Sequence, residues 1–567
     1  MATESFFSSA SLAYLASAGA GKDGKTYSIK PTDGSGDFTF SRGSNLTSTR
    51  IDSNGLIEKG RENLLLQSNS FDTTWVSVTA SVTSGQSGYD GSNDAWLLSK
   101  SAASGRIYQN ASVSGVATYS VYAKSNDLDW LFIIGTPSSY PEAYFNLSNG
   151  TIGNTSNHQN FIGANIEDVG NGWYRCSITF NDSLGQFRIY PADGNNDFSG
   201  TSGSIYIQDA QLEQGLVATD YIETGATTVQ AGLLENEPRI DYTGGTGSLL
   251  LEPSRTNLVP YSEYLNDWTK IGLSIETNTS NTLSPEGLYN ATKLTSTTAD
   301  PNIYKMISVT ATETTFSFYI KGEGSSIGKT SRVLFWYIGT ATGSTTSHNF
   351  TLTSEWQRIS FSTTPTSSGT IGFRIDTPAD SADVGETAYI YGVQIEEGSY
   401  PTSYIPNHSG GSVTRAADDA TLEYSNNFND ITILTEVNSL DVIRDTSQQN
   451  LHIGNDYSQG GAFFLRRSSS TSPKTLVAFF KNNDNSDVFS PYELPEGDSK
   501  VALKYNSTSN ACKLFVDGSE VRSGTATDIT EFDTFRLIGQ GGKFNSKQLE
   551  VFNTALSDAQ CITRTTL

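Results

Sequence analysis

A stretch that occurs twice constrains the fold of this chain more than any other feature. Residues 204–222 read SIYIQDAQLEQGLVATDYI, and residues 387–405 read TAYIYGVQIEEGSYPTSYI. Both copies contain Tyr-Ile, then Gln-Leu/Ile-Glu, then Gly and a second Tyr-Ile. Alternation before the glycine predicts a strand that carries Gln211 and Glu213 on one face. Because each copy lies near the end of a longer similar segment, the sequence predicts two β modules in tandem.

The similarity extends over both modules, which we define as the first module (residues 61–225) and the second module (residues 254–409). The first opens with RENLLLQSNSFDTTW and contains TYSVYAKS and NGWYRCSITF. The second opens with RTNLVPYSEYLNDW and contains TFSFYIKG and SEWQRISFST. Alternating segments of strand length between turn signals predict a two-sheet sandwich of jelly-roll type for each module. The recurring Gln and Glu are predicted to be structural, with the strand carboxylate bonding a neighbouring loop.

The remaining residues form three segments. Residues 1–60 are rich in Gly and Ser and too polar to fold alone, so we expect them to pack on a neighbour. Residues 226–253 are a connector with its own apolar anchors. Residues 413–567 contain alternating segments such as DITILTEVN and KVALKYN, which predict a further sandwich. A short helix with Ser557 as its N-cap is expected near the end. The predicted fold class is therefore all-β.

The composition argues against two classes of partner. Gly is abundant, with 52 residues, and charged residues make up only 17%, which favours short strands joined by tight turns. The net charge is −24 and the basic residues form no dense run, so we predict no nucleic-acid partner. No apolar run approaches the roughly 20 residues of a membrane span, and the N-terminus lacks the layout of a signal peptide. We therefore predict no membrane insertion.

No constellation of catalytic residues is visible in the sequence. Three cysteines make no disulfide framework; Cys176 lies on an apolar strand face and is predicted to be buried, and reduced thiols are expected. The four histidines lack ligand spacing, and we find no nucleophile elbow and no phosphate-binding loop. We therefore predict no catalytic residues, no required cofactor and no enzymatic activity. The alternative is a pair of carboxylates from distant segments, with Glu142, Asp376 and Glu396 as candidates.

One acidic loop is a candidate calcium site. Asp193, Asn195 and Asp197 occupy alternate positions, and carboxylate and amide oxygens are the ligands that Ca²⁺ prefers. The loop lacks the Gly and the Glu that an EF-hand has at its sixth and twelfth positions. A solvated polar loop is the alternative interpretation.

Aromatic residues are the candidates for glycan binding, because a sugar needs an exposed aromatic platform beside polar groups. Tryptophans that recur at equivalent places in the two modules are assigned to core packing, and these are Trp75 with Trp268 and Trp173 with Trp356. The candidate ligand contacts are instead aromatic residues in loops that do not recur, namely Tyr89, Tyr140 and Tyr457. Each of them has packing as the alternative role.

Three parts of the sequence resemble virion surface proteins of tailed bacteriophages, of the tail-fibre or head-fibre type. The leader KTYSIKPTDGSGDFTFSRGSNLTSTRIDSNGLIE is similar to the N-terminal segment of that family. The pattern from RTNLVPYSEYLNDW to VQIEEGSYPTSYIPNHSGGSVTRAAD resembles its carbohydrate-binding-like β domain. Residues 413–567 resemble a concanavalin A-like (laminin-G-type) sandwich through KLFVDGSEV and QLEVFNTALSDAQ. Together these parts cover nearly the whole chain.

The resemblance implies a function and a set of partners. It implies a structural protein on the virion surface, made in the cytoplasm of the host bacterium, that binds other virion proteins, assembles with itself as a homotrimer and binds host-surface glycans. Residues 1–60 would be the virion-attachment segment, with the C-terminal sandwich projecting outward. Two alternatives stay open: a purely structural decoration protein of capsid or tail without receptor binding, and a capsule-degrading enzyme.

One departure from the family pattern predicts an insertion. In the relatives, GLIE is soon followed by a stretch like NEPRIDY and LLLEPSRTNL, whereas here the whole first module separates these motifs. The simplest interpretation is that the first module was inserted into an N-terminal unit whose halves are residues 1–60 and 226–253. We therefore expect these two halves to pack together.

Overall fold

β-Strands dominate the structure, a computed structural model, as the sequence predicts. It describes residues 9–17, 21–22, 24–43, 46–137, 140–338, 341–377, 384–438, 449–454, 462–467, 476–495, 497–527, 529, 532–538 and 543–566. The helix Asp558–Thr565 follows Ser557, whose hydroxyl accepts a hydrogen bond from the Gln560 backbone N–H at 3.2 Å. The predicted N-cap is thereby confirmed. No helix in these ranges is long and apolar enough to cross a membrane.

A two-sheet sandwich, which we call the base sandwich, is assembled from three separate parts of the chain. The strands of its first sheet are, in spatial order, Arg239–Asp241, Ser248–Leu251, Phe544–Phe552, Ile431–Asn438, Asp498–Asn506, Ala511–Val516 and Ser519–Thr525, with Leu12–Leu15 also paired to Phe544–Phe552. Those of its second sheet are Gly21–Lys22, Lys25–Thr26, Phe38–Ser41, Asp419–Phe428, Phe532–Ile538, Gln449–Gly454, Ala462–Arg467, Leu476–Lys481 and Tyr492–Glu493.

The core of the base sandwich extends across three of the predicted domains, residues 1–60, 226–253 and 413–567. Leu12, Phe38 and Leu249 are fully buried in one hydrophobic cluster with Ile433 and Phe535. The sandwich predicted for residues 413–567 therefore also needs strands from residues 1–60 and 226–253 to complete its sheets. The N-terminal segment does not form a base from which a separate C-terminal sandwich projects, because both belong to one core.

The first module is built around two long strands of 20 residues each that pair along most of their length and run through both layers of the sandwich. Ten strands form its continuous sheet: Val76–Val78, Ala80–Gln86, Ala95–Lys100, Arg106–Ser125, Trp130–Thr136, Glu142–Asn146, Thr151–Thr155, Phe161–Gly170, Trp173–Ala192 and Gly203–Gln214. Its core contains Tyr119, Cys176 and Phe187, all fully buried.

The second module has its ten strands divided between two five-stranded sheets that enclose a core containing Trp268, Phe316 and Phe373. The strands of one sheet are, in spatial order, Thr269–Ile271, Asn302–Val309, Gly369–Asp376, Thr330–Ile338 and Thr346–Thr351. Those of the other are Leu273–Glu276, Thr292–Ser296, Thr387–Glu397, Thr314–Glu323 and Gln357–Thr363. Two sandwiches in tandem confirm the predicted architecture.

Each module is joined to the base sandwich by a pair of short antiparallel strands. Arg61–Asn63 pairs with Val229–Ala231 where the chain enters and leaves the first module. Arg255–Asn257 pairs with Val413–Arg415 in the same way at the second module. Because the chain crosses back beside its starting point in both cases, the insertion hypothesis made for the first module extends to the second.

Side-chain contacts also join residues 1–60 to residues 226–253. The Arg42 guanidinium donates from Nη2 to the Leu234 carbonyl at 2.6 Å. The Ile51 backbone N–H donates to Asp241 Oδ2 at 2.9 Å from a hairpin of Thr49–Ile51 with Ile57–Lys59. The two halves are in contact, as the insertion hypothesis requires.

The repeated stretch closes each sandwich through hydrogen bonds that are the same in both copies. In the first module Gln211 Nε2 donates to Glu213 Oε1 at 2.6 Å, and Glu213 Oε1 accepts from the Thr219 backbone N–H at 2.9 Å. Gln211 Oε1 accepts from the Ile222 N–H at 2.7 Å. These contacts confirm that the Gln and Glu are structural and that the carboxylate binds the following loop.

In the second module Gln394 and Glu396 take the same places. Gln394 Nε2 donates to Glu396 Oε1 at 2.6 Å, and Glu396 Oε1 accepts from the Thr402 N–H at 2.8 Å. Gln394 Oε1 accepts from the Ile405 N–H at 2.6 Å. Because Glu396 is fully buried inside this network, burial raises the pKa of its carboxyl above the usual range.

A buried charge cluster lies where the three parts of the base sandwich meet. Arg239 donates to Glu252 at 2.7 Å and also to Asp418, while Arg42 Nη1 donates to Asp418 at 3.2 Å and Arg415 Nη1 contacts Glu252 at 2.8 Å. None of the five side chains is exposed to solvent. Each charge is compensated by partners from another part of the chain, so the cluster fixes the relative position of those parts.

All three cysteines are free and buried, as expected for a chain with reduced thiols. Cys176 lies in the core of the first module, which confirms its predicted burial. Cys512 and Cys561 belong to the base sandwich, in two different hydrophobic clusters. Burial raises the pKa of all three thiols, to about 11 for Cys561.

Candidate functional site

An open aromatic face on the second module is the best candidate for a binding site. It is the outer face of the sheet that contains Asn302–Val309, Gly369–Asp376 and Thr330–Ile338. Along each strand, alternate residues such as Ile375 enter the core, so their neighbours point away from it. Register places Tyr304 opposite Arg374, and Arg374 opposite Leu334, on this outward side.

The aromatic part of this face is Trp336 with Tyr304. The two rings meet edge to face, with their centroids 5.3 Å apart and their planes at 72°. Trp336 lies opposite Gly372, where an added Cβ would come within 2.4 Å of the indole ring. The absence of a side chain at Gly372 therefore lets the indole lie across the middle strand. Both rings stay partly exposed.

Two arginines and one carboxylate form the polar part of the face. Arg332 Nε donates to Asp376 Oδ2 at 2.8 Å, and Arg374 Nε donates to Asp376 Oδ1. Asp376 exposes only 6% of its side chain, whereas Arg332 exposes 43% and Arg374 30%. With two guanidinium groups on one carboxylate, this cluster has a formal charge of +1 in a chain whose net charge is −24. Asp376, a candidate in the carboxylate alternative, is thus bound by two cations.

The equivalent face of the first module is covered. Tyr108 lies opposite Arg188, as Tyr304 lies opposite Arg374. Two residues after Arg188, however, Tyr190 is paired with Phe132 of the neighbouring strand, and the ring of Phe198 packs on both of them at centroid distances of 5.4 and 5.3 Å. The loop that contains Phe198 therefore covers this surface in the first module. The corresponding loop of the second module lies partly outside the described residues, and no described aromatic ring packs on Arg332 or Asp376.

Tyr89, a predicted glycan contact, is half-buried in an aromatic cluster of the first module. Its ring stacks on Tyr122 with centroids 3.9 Å apart and planes at 2°, and it meets Trp173 edge to face. Its hydroxyl donates to Asp209 Oδ2 at 3.0 Å. One face of the ring and the hydroxyl are thus occupied by the protein, as in the packing alternative.

The other two predicted aromatics are not brought near Tyr89 or the open face. Tyr140 exposes 51% of its surface and adopts a positive φ of 49°, in a loop at the edge of the first module. No ring contact to Tyr140 is found within the described ranges. Tyr457 lies outside the described residues. A glycan role for these tyrosines stays a prediction.

The three candidate calcium ligands each bond to a different partner. Asp193 forms an ion pair with Lys100, and its Oδ2 also accepts from the Gly200 N–H at 2.7 Å. Asn195 Oδ1 accepts from the Asn154 N–H at 2.6 Å. Asp197 Oδ1 accepts from the N–H and hydroxyl of Ser199, a local turn that lowers the pKa of its carboxyl.

A lysine ammonium therefore occupies one of the oxygen ligands that a calcium ion would need. Within the described ranges, no group of three or more His, Cys, Asp or Glu side chains is arranged to hold a metal ion. These contacts are those of the polar-loop alternative, and a Ca²⁺ site at Asp193, Asn195 and Asp197 stays a prediction.

Sequence reasoning missed Trp336 and Tyr304, although one signal for Trp336 was present. Trp336 has no tryptophan counterpart in the first module, which was the criterion used to select ligand candidates. Only non-recurring aromatic residues in loops were selected, and Trp336 was therefore excluded, because it lies in the strand Thr330–Ile338. Tyr304 has a counterpart, Tyr108, so recurrence alone would have assigned it to packing.

Asp209 should make the stability of the first module depend on pH. Burial raises the pKa of its carboxyl to about 7. The charge of Asp94 raises this pKa further, whereas the hydrogen bond from Tyr89 lowers it. The unfolded carboxyl has its usual pKa near 3.9, so between pH 4 and 7 the folded state binds more protons and stability falls as the pH rises. Asp209→Asn is expected to remove this loss, on the order of 4 kcal/mol at pH 8, and to change little at pH 4.

Urea unfolding followed by tryptophan fluorescence at pH 4, 6 and 8 measures this effect. Asp197→Asn is the matched control, because Asp197 is an exposed carboxylate of the same module with a lowered pKa. Equal pH dependence of the wild type and Asp209→Asn would show that Asp209 titrates normally.

Comparison with known proteins adds little to the side-chain geometry. No protein-family model matches the chain, and no curated protein sequence matches it. Among solved structures, the CBM40 of the Ruminococcus gnavus IT-sialidase bound to α2,3-sialyllactose matches at 21% identity, over 25% of this chain and 84% of that chain, with a TM-score of 0.19.

Two further solved structures match at 11% identity. The CBM22-1–CBM22-2 tandem of Paenibacillus barcinonensis Xyn10C covers 63% of this chain and 99% of its own, with a TM-score of 0.20. A putative carbohydrate binding protein from Bacteroides ovatus covers 46% of this chain and 78% of its own, with a TM-score of 0.19. At these TM-scores and identities, none of the three similarities bears on function.

Proposed function

We propose that this chain binds glycans through the open aromatic face of the second module. The observation that carries the proposal is the indole of Trp336, held across Gly372 beside Tyr304 on a face that the equivalent loop of the first module would cover. Sugar rings stack on flat aromatic surfaces, and their hydroxyls need polar partners close by. Arg332 and Arg374 supply such partners at the edge of the aromatic surface.

Further polar groups surround the arginines. Asn349 lies opposite Arg332, and Ser347 lies opposite Leu334, both exposed on the edge strand. Asn302 lies opposite Asp376; its Nδ2 donates to the Asp300 carbonyl at 3.0 Å, while its buried Oδ1 has no hydrogen-bond partner among the described residues. The exposed side chains of Asn349 and Ser347 can both donate and accept hydrogen bonds, as hydroxyl recognition requires, and they lie within one or two strands of the aromatic rings.

The biological setting of this binding follows from the resemblance to tailed-phage virion surface proteins. We propose that the chain is displayed on the virion, that the face binds glycans of the host surface during adsorption, and that the protein acts without catalysis. Contacts with other virion proteins and assembly as a homotrimer are part of this proposal. The base sandwich is the natural candidate for attachment, because both insertions leave it and return to it.

Binding to an array of bacterial surface polysaccharides tests the proposal, with the full chain and two variants. Trp336→Ala removes the aromatic platform. Gly372→Val displaces the indole but leaves the polar side chains of the face, Arg332, Arg374 and Asp376, in the sequence. Each is expected to weaken glycan binding by about tenfold, the effect of losing roughly 1.4 kcal/mol of stacking. Tyr289→Ala is the matched control, since Tyr289 is 52% exposed and lies on a different surface of the same module.

Four outcomes separate the alternatives. Loss of binding in both variants, with the control unchanged, supports the open face as the site. Wild-type affinity in Trp336→Ala would place glycan binding elsewhere. No glycan bound by the wild-type chain would leave the purely structural decoration protein as the better hypothesis, whereas a fall in polysaccharide viscosity would favour the capsule-degrading enzyme.

A further inference from the structure

We infer that the open face selects carboxylated glycans, such as polymers that contain uronic acids, over neutral ones. The inference rests on the proposed function and specifies the class of its ligand. It is carried by the two guanidinium groups that share one carboxylate beside the Tyr304–Trp336 platform. A planar carboxylate matches the donor geometry of a guanidinium group better than any neutral sugar group does.

The unused donors of the two arginines give the inference its geometry. Arg374 contacts Asp376 through Nε, and Arg332 contacts it through Nε and Nη2. Nη1 of Arg332 and both Nη atoms of Arg374 make no hydrogen bond to a described residue. Since Arg374 still has two parallel N–H groups on its outer end, it can receive a carboxylate in the bidentate manner.

Charge favours the same ligand. Asp376 neutralises only one of the two guanidinium groups, so the cluster keeps a positive charge while both arginines reach solvent. Asp376 also holds both side chains in place, so little side-chain freedom is lost when a ligand binds. Because the chain has a net charge of −24, most of its surface repels anions, whereas this positive cluster attracts them.

The first module shows what the sheet looks like without this arrangement. Its Arg188 donates from Nε to Gln186 Oε1 at 2.6 Å, and its Nη1 lies 3.5 Å from the Tyr190 hydroxyl. Phe132 and Tyr190 stand where the second module has Arg332 and Asp376. Both modules therefore share the Tyr–Arg pair, but only the second adds the further arginine and the carboxylate that orients both cations.

The test compares each polysaccharide on the array in its native form and after chemical reduction of its carboxyl groups to alcohols. The full chain is expected to bind native acidic polysaccharides at least tenfold more tightly than the reduced forms, and this preference should decrease as salt is added. Dextran sulfate serves as a probe for simple charge attraction. Arg374→Gln should abolish the preference, and Arg374→Lys, which keeps the charge but loses the fork, should reduce it.

Arg188→Gln in the first module is the matched control and should leave the preference unchanged. Equal binding of native and reduced polysaccharides would overturn the inference while leaving glycan binding itself intact. Binding of dextran sulfate as tight as that of the carboxylated polymers would also overturn it, in favour of general attraction of anions. If no polysaccharide binds in either form, the proposed function fails and this inference fails with it.

Discussion

Replacing Arg239 with methionine is expected to destabilise the base sandwich by about 3–5 kcal/mol, the usual cost of removing one partner from a buried ion cluster. Arg239 donates to Glu252 and Asp418, and also to the Thr49 carbonyl and the Ser403 hydroxyl. The substitution removes these four buried hydrogen bonds and leaves Glu252 and Asp418 with one arginine partner each, Arg415 and Arg42. Burial alone would raise the pKa of Glu252, but Arg415 and Arg239 hold it well below the usual range.

Thiol labelling measures this loss locally. All seven tryptophans lie in the two modules, so fluorescence does not report on the base sandwich, whereas Cys512 is buried in its core. Labelling of Cys512 should accelerate roughly 100-fold or more if it follows the population of opened molecules. The matched control is Lys513→Met, which removes only ion pairs to Glu520 and Asp558 that are exposed to solvent and worth about 0–1 kcal/mol each.

A Cys512 labelling rate that is equal in Arg239→Met and the wild type would show that the cluster does not hold the three chain segments together. Labelling of Cys176 in the first module provides an internal reference. It should change far less than that of Cys512, since the first module has its own core.

The repeat made the modules predictable from sequence. Period-2 alternation marks strands, and the two copies give each motif an internal comparison. The comparison correctly assigned Gln211 and Glu213 to structure, because a ligand-binding residue need not recur in both modules. It also assigned Trp173 correctly to packing, since its side chain is almost fully buried.

The base sandwich was not predictable in the same way. Leu12–Leu15 is a short apolar run, and nothing in its sequence specifies that its partner is Phe544–Phe552, at the other end of the chain. Register and partner choice depend on the whole hydrophobic pattern and on chain connections, not on local propensity. Comparison with the family motifs suggested one insertion, and only the paired strands at Arg255–Asn257 and Val413–Arg415 extend the hypothesis to the second module.

Whether the outer face of a sheet can bind a ligand depends on the loops that pack on it. Alternation places Arg332 and Trp336 on one side of a strand, but it does not show whether that side faces solvent. In the first module the side chain of Phe198 covers the equivalent surface. Loop conformation of this kind follows from tertiary packing, which a sequence pattern does not encode.

Substituting Asn63 with alanine is expected to destabilise the first module by about 4 kcal/mol, because four buried hydrogen bonds are lost together. Asn63 Nδ2 donates to the carbonyls of Ile222 and Ala210 at 2.8 and 3.2 Å. Its Oδ1 accepts from the N–H groups of Leu65 and Leu212, both at 3.1 Å. Alanine leaves these buried backbone groups without partners, and water cannot replace the bonds in a fully buried site.

Asn257 makes the same four bonds in the second module, with the carbonyls of Ile405 and Val393 and the N–H groups of Val259 and Ile395. The two variants are therefore matched controls for each other. Asn63→Ala should accelerate labelling of Cys176 by two to three orders of magnitude and leave Cys512 protected, since about 1.4 kcal/mol corresponds to a factor of ten.

Asn257→Ala should leave Cys176 protected and shift only the urea transition of the second module. Asn195→Ala, which removes a single hydrogen bond at an exposed position, should change the stability of the first module by less than about 1 kcal/mol. If Asn63→Ala instead exposed Cys176 and Cys512 together, the first module and the base sandwich would unfold as one unit. The first module would then not behave as an insertion with a core of its own, because an inserted domain joined by one strand pair opens without its host.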